Sequence, residues 1–160
     1  MATLHFFSGK MAAGKSTLAR QLAAQHKAVL LVEDQLLGQL YPEEIKDIPG
    51  YLKYAGRLKQ AVTTHIQDLL RQGLSVVLDF PANTAEQRRW FRVLIDNTAV
   101  DHVLHFVDAP DELCKQQLHQ RSRDLPEGAP FTSEAEFDAI TAYFQPPTDQ
   151  EGFNIQHHQR

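Results

Sequence analysis

Residues Gly9-Lys10-Met11-Ala12-Ala13-Gly14-Lys15-Ser16 satisfy the pattern GxxxxGK[ST] at every fixed position. The chemistry of phosphate binding accounts for each residue type. Gly9 and Gly14 permit backbone conformations and close approaches that a Cβ would hinder, so successive N–H groups can turn inward on phosphate oxygens. Lys15 is placed to reach the β- and γ-phosphates, Ser16 offers a hydroxyl to Mg²⁺, and the following helix adds the positive end of its dipole. With Thr17 next on that helix, Gly9 to Thr17 is the expected triphosphate-binding segment, a P-loop. Such a loop works between a strand and a helix. Thr3 to Phe7 is a short apolar run stopping at Ser8-Gly9, and Lys15 to His26 carries helix formers with apolar positions at Leu18, Leu22 and Ala23.

The same alternation continues along the chain. Ala28 to Val32 predicts a buried strand, Tyr54 to Arg71 an amphipathic helix closed by Gly73, and Ser75 to Leu78 a strand ending at Asp79. Thr84 to Asn97 predicts a helix, Val100 to Val107 a strand and Asp111 to Arg123 a helix. Parallel strands need crossover connections, which helices supply, so the expected class is a three-layer α/β/α fold with a parallel sheet. Beyond Arg123 a turn-rich loop leads to Ser133 and Glu136, spaced as a capping box for a helix through Phe144, and Gly152 to His158 alternates as an added strand would. A single domain over residues 1–160 is expected, with a C-terminal helix and strand across 133–158.

Composition narrows the functional classes. No apolar stretch approaches the ~20 residues of a membrane span, and the opening MATLHFFSGK lacks the pattern of a secretory signal, so a cytoplasmic protein is expected. The formal net charge of −4 lacks the basic excess of a non-specific nucleic-acid binder, so charge does not support a nucleic-acid partner. Cys114, the one cysteine, reads as a packed thiol. His102 and His105 are three apart on a predicted strand and point to opposite faces, which argues against a shared metal.

A P-loop needs an acidic residue for its metal, and Asp79 at the end of SVVLD stands at a Walker B-like strand end, to hold Mg²⁺ directly or through water. There is no NKxD sequence with which a Ras-type GTPase reads guanine, so ATP is favoured over GTP. On the acceptor side, Asn83, Thr84, Arg88, Arg89 and Arg57 are candidates to touch a substrate, but ordinary exposed polar roles are favoured for all five. Tyr51 and Tyr54 read as packing under a loop.

Across FFSGKMAAGKSTLA, LVEDQLL, VVLDFPANTAEQRRWFR and VDAPDELCKQQLHQRSR, about three quarters of its length, the chain resembles small P-loop kinases grouped with polynucleotide kinase, chloramphenicol phosphotransferase and zeta-toxin-like enzymes. The resemblance implies a nucleoside-kinase-like fold, ATP as phosphoryl donor and a short arginine-bearing lid over about residues 121–132. It implies that Asp34, just after the second strand, accepts the proton of the attacking hydroxyl, with Glu33 as the adjacent alternative and a cap for a helix at Gln35 as the structural one. It implies that Arg121 or Arg123 closes over the moving phosphoryl group, against a purely structural role at a helix C-terminus. Ala109-Pro110 resembles the segment that flanks adenine. The reaction implied is transfer of the ATP γ-phosphoryl group to an unidentified hydroxyl on a small molecule or nucleic-acid end. The rivals are a regulatory ATP-binding module and an ATPase.

Overall fold

β1 (Thr3–Ser8) sends Leu4 and Phe6 to one face of a sheet and His5 and Phe7 to the other, as the two-residue period of a strand requires. In the computed structural model, which describes residues 1–123 and 133–160, five parallel strands lie in the order β2-β3-β1-β4-β5. They are β1, β2 (Val29–Val32), β3 (Val76–Pro81), β4 (Asp101–Asp108) and β5 (Ile155–Gln159). The helices are α1 (Lys15–His26), α2 (Glu33–Leu40), α3 (Ile48–Arg71), α4 (Ala85–Thr98), α5 (Asp111–Arg123) and α6 (Glu134–Thr141).

Leu4 and Phe6, with Val76, Leu78 and Leu104, form a core under α2, α3 and α4, where Leu37, Leu58, Ile66, Phe91 and Leu94 are buried. On the opposite face Phe7 and Val77 meet Ala19 and Ala23 of α1, and Val107 meets Cys114 and Leu118 of α5. These are the three layers the alternation predicts, and Cys114 is a buried, free thiol. No helix among the described residues is long and apolar enough to cross a membrane.

Several element boundaries depart from the sequence reading. β2 is half-buried, because as an edge strand it pairs only with β3. α3 starts six residues early: Asp47 Oδ1 accepts the Gly50 N–H at 2.7 Å and Pro49 occupies the first turn, where a missing N–H costs nothing. α6 ends at Thr141, short of Phe144, as the chain turns back and the Gln145 N–H donates to Asn83 O at 2.8 Å.

Arg88 corrects a second expectation. It is 2% exposed. Its guanidinium pairs with Glu151 at 2.8 Å and donates to the carbonyls of Ala82 and Gln145, both at 2.9 Å, and of Pro146. It thus ties α4 to the segment entering β5. Arg88→Met should lower unfolding free energy by about 2–3 kcal/mol, since it leaves the half-buried Glu151 carboxylate without its cation and the buried Ala82 carbonyl without its donor. Urea unfolding at neutral pH measures this.

Four histidines form a row across the α1 side. His26 stacks on His5 at 5.1 Å, His5 Nδ1 lies 3.0 Å from His105 Nε2, and His105 Nδ1 lies 2.9 Å from His158 Nε2. Burial, then the neighbouring imidazole His26, lowers His5 to about 4. Burial, followed by His5, His158 and His26, lowers His105 to about 3. The folded state therefore holds both rings neutral while the unfolded chain binds protons near pH 6.5. Stability from this row is full above about pH 6.5 and is lost as pH falls toward 4, by about 3 kcal/mol for each of the two rings. In urea titrations at pH 7 and 4.5, a His5→Phe, His105→Leu variant should lose less stability than the parent.

Candidate functional site

The P-loop follows β1 and opens α1, and its geometry explains its glycines. A Cβ at Gly9 would sit 2.7 Å from the Val107 carbonyl oxygen, so only glycine lets the loop pass β4 this closely. Gly14 has φ 107°, a conformation that penalises any side chain, and caps α1 without a side-chain hydrogen bond. The first amides of α1 are thereby left available to an anion. Asn83, read from sequence as an exposed polar residue, instead accepts the Gly9 N–H on its Oδ1 at 2.9 Å and holds the loop entrance.

Lys15 Nζ donates to the carbonyls of Gly9 and Lys10, the latter at 2.8 Å. Burial lowers its pKa to about 8 against the pull of Asp79, so the ammonium sits in a site that favours an incoming anion. Ser16 Oγ donates to Asp79 Oδ2 at 2.7 Å, bringing together the two residues expected at the metal. An oxygen-only pair of this kind suits Mg²⁺, which takes few protein ligands and completes its shell with phosphate and water. Lys10 is drawn aside by an ion pair with Asp111 at 2.7 Å.

A cavity of about 740 Å³ gathers Lys10, Met11, Ala12, Gly14, Lys15 and Ser16 with Asp34, Asp79 and Arg121. Asp34 lies in the first turn of α2, whose N-cap is Val32, so it does not cap that helix. Burial by the cavity walls, then repulsion from Asp79, raises its carboxyl above the usual range, against the pull of Lys15. Glu33 is 1% exposed, accepts the Tyr51 hydroxyl and is pushed upward mainly by its burial.

A second cavity of about 540 Å³, on the other side of the loop, is lined by Gly14, Thr17, Gln21, Arg121, His158 and Arg160 among others. Arg160 Nη1 donates to the Ala13 carbonyl at 2.6 Å. Arg121 faces both cavities, whereas Arg123 lines neither. The rest of the expected lid, residues 124–132, lies outside the described residues. Ala109 and Pro110 line neither cavity either, and the Ala109 carbonyl accepts from Lys10 Nζ at 3.4 Å. His158 and Arg160 were not singled out in sequence, since only the parallel pairing of β5 with β4 carries them to the P-loop.

Solved structures with this fold include a Chloroflexus aurantiacus protein provisionally assigned as a kinase, at TM-score 0.75 and 15% identity, covering 99% of this chain and 88% of that one. Chaetomium thermophilum Kti12 in complex with ADP-AlF3 aligns at TM-score 0.72 and 16% identity, over 98% of this chain and 88% of its own. Mycobacterium tuberculosis APS kinase CysC, in complex with AMPPNP and APS, aligns at 0.61 and 18% identity with the same coverage. No curated protein sequence matches the chain. A family model described as an AAA domain matches residues 4–147, and the chain belongs to that family as a small P-loop kinase-like protein.

Proposed function

We propose that this protein transfers the γ-phosphoryl group of ATP to a hydroxyl of a separate acceptor. The observation that carries the reading is that Lys15, the Ser16–Asp79 pair, Asp34 and Arg121 all line one cavity. The P-loop amides and Lys15 would hold the triphosphate, and the cavity beside Thr17, Gln21 and Arg160 would take the base. ATP as donor is supported by the nucleotides in the similar structures, ADP-AlF3 and AMPPNP. Ser16 and Asp79 would hold Mg²⁺, which neutralises charge on the phosphate oxygens when bound.

In the transfer, the acceptor oxygen bonds to the γ-phosphorus while the bond to the β–γ bridging oxygen breaks and ADP leaves. Asp34 takes the hydroxyl proton, and its raised pKa makes it a stronger base than an ordinary carboxylate. Arg121 would offset charge spread over the equatorial oxygens, with Arg123 as the second lid candidate. We read residues 1–160 as one cytoplasmic catalytic domain. The test is ADP release with Mg²⁺ and ATP across a panel of candidate alcohols. Acceptor-dependent release with phosphorylated acceptor as product supports the kinase. Release that no acceptor stimulates would favour an ATPase, and nucleotide binding without turnover a regulatory module.

A further inference from the structure

Past the P-loop, the larger cavity continues into a lobe between α3 and α6. Ile48, Leu52, Ile140 and Tyr143 line it with 71%, 61%, 49% and 77% exposure. Together they make up half of the eight large apolar side chains exposed among the described residues. Exposed apolar side chains are ordinary when scattered, but gathered around one cavity they mark a binding surface. Two come from the first turns of α3 and two from the end of α6 and the turn after it, so they face the lobe from two walls.

The charge of the lobe has one sign. Its acidic lining is Glu33 and Asp47, whereas Asp34 and Asp79 lie in the field of Lys15 and belong, with Lys10 and Arg121, to the phosphate end of the cavity. Of the nearby cations, Arg57 lies over the Tyr54 ring at 5.4 Å, and Lys59 lies over Trp90 at 5.6 Å and within the field of Glu33. An anionic acceptor would face the Glu33 and Asp47 carboxylates with no cation among the lobe's own lining residues.

The lobe also contains unpaired polar atoms. Glu33 Oε1 receives the Tyr51 hydroxyl, but Glu33 Oε2 and Thr141 Oγ1 are buried with no hydrogen-bond partner among the described residues. Both residues line this cavity. Buried polar atoms are paired in the great majority of cases, so a carboxylate oxygen left open at a ligand cavity is a place for a ligand's donor.

Resting on the kinase reading above, we propose that the acceptor is an alcohol without negative charge, with an apolar body seated on Ile48, Leu52, Ile140 and Tyr143 and a second hydrogen-bond donor received by Glu33. Glu33 is then a specificity-determining residue, and Tyr51 positions it. Polynucleotide ends and sugar acids are disfavoured as acceptors.

The test measures acceptor-dependent ADP release at saturating ATP and Mg²⁺ with 1-phenyl-1,2-ethanediol, 2-amino-1-phenylethanol, gluconate and a 5′-hydroxyl oligothymidylate. The first two should exceed the others at least about tenfold in kcat/KM. Glu33→Gln should raise the KM of the first two about tenfold with the KM for ATP unchanged. Leu52→Lys, at an exposed position, should raise their KM and narrow the preference against gluconate. Preference for gluconate or the oligonucleotide would overturn the inference while leaving the kinase standing. So would an acceptor KM that neither variant moves. If no compound is turned over, calorimetry with AMPPNP and Mg²⁺ separates the two claims: binding of the diol without turnover counts against the kinase and keeps the lobe's ligand class, and absence of binding overturns the inference.

Discussion

Lys15→Met is expected to lower phosphoryl-transfer turnover by about 10²–10³-fold, the scale for removing one preorganised charge from a developing anion. Methionine keeps the aliphatic length that packs beside Gly9, where Lys15 Cδ would lie 3.3 Å from an added Cβ, so the loop keeps its walls and loses the charge. The Gly9 and Lys10 carbonyls lose their donor. A pH dependence distinguishes the ammonium from mere packing. Free Lys15 sits near 8 because burial disfavours its charged form, and triphosphate favours that form. Affinity should therefore be full below about pH 8 and fall as pH rises past it, with proton uptake on binding. Calorimetry with AMPPNP at pH 7 and 9.5 should show this fall in the parent and a much smaller one in the variant. A variant within about twofold of the parent in turnover would remove Lys15 from the chemistry.

The P-loop was legible because its function is local. Every group that makes the nest lies between Gly9 and Thr17, and glycine is the residue whose backbone role a sequence exposes most directly. Asp79 was legible because strand periodicity brings it to the same end of the sheet as the loop, and the Ser16 contact follows from β3 lying beside β1. Groups that depend on long-range returns of the chain were hidden. Asn83 reads as an ordinary exposed polar residue until β3 and β1 pair and its side chain meets the Gly9 amide. Arg88 resembles Arg89 in sequence, yet the return of residues 145–151 over α4 buries one and leaves the other exposed.

The acceptor lobe was illegible for a related reason. Ile48 and Leu52 precede the helix that periodicity predicts, because the start of α3 is set by the Asp47 cap and by Pro49 rather than by an apolar stripe. Ile140 and Tyr143 lie some ninety residues further on, and only the fold opposes the two pairs. α2, at eight residues, is too short to declare itself by periodicity, which is why Asp34 could be read in sequence as a cap.

Asp34→Asn is expected to lower kcat by about 10²–10⁴-fold while leaving AMPPNP affinity close to that of the parent, the signature of a lost general base. Asparagine preserves shape and removes the capacity to take a proton. A structural role predicts a different result. Val32 rather than Asp34 occupies the N-cap, and no side-chain bond there depends on the carboxylate. Burial and Asp79 disfavour the ionised form of Asp34 in the folded state, so at neutral pH its charge opposes folding. Removing that charge should hold or raise the melting temperature as turnover falls. The pH profile adds a third reading: because the base must be ionised, the acidic limb of the parent's kcat should lie above the ordinary carboxylate range and be absent from the residual activity of the variant. A kcat within about twofold of the parent would transfer the proton-accepting role away from Asp34, and a fallen melting temperature would assign the residue to α2 instead.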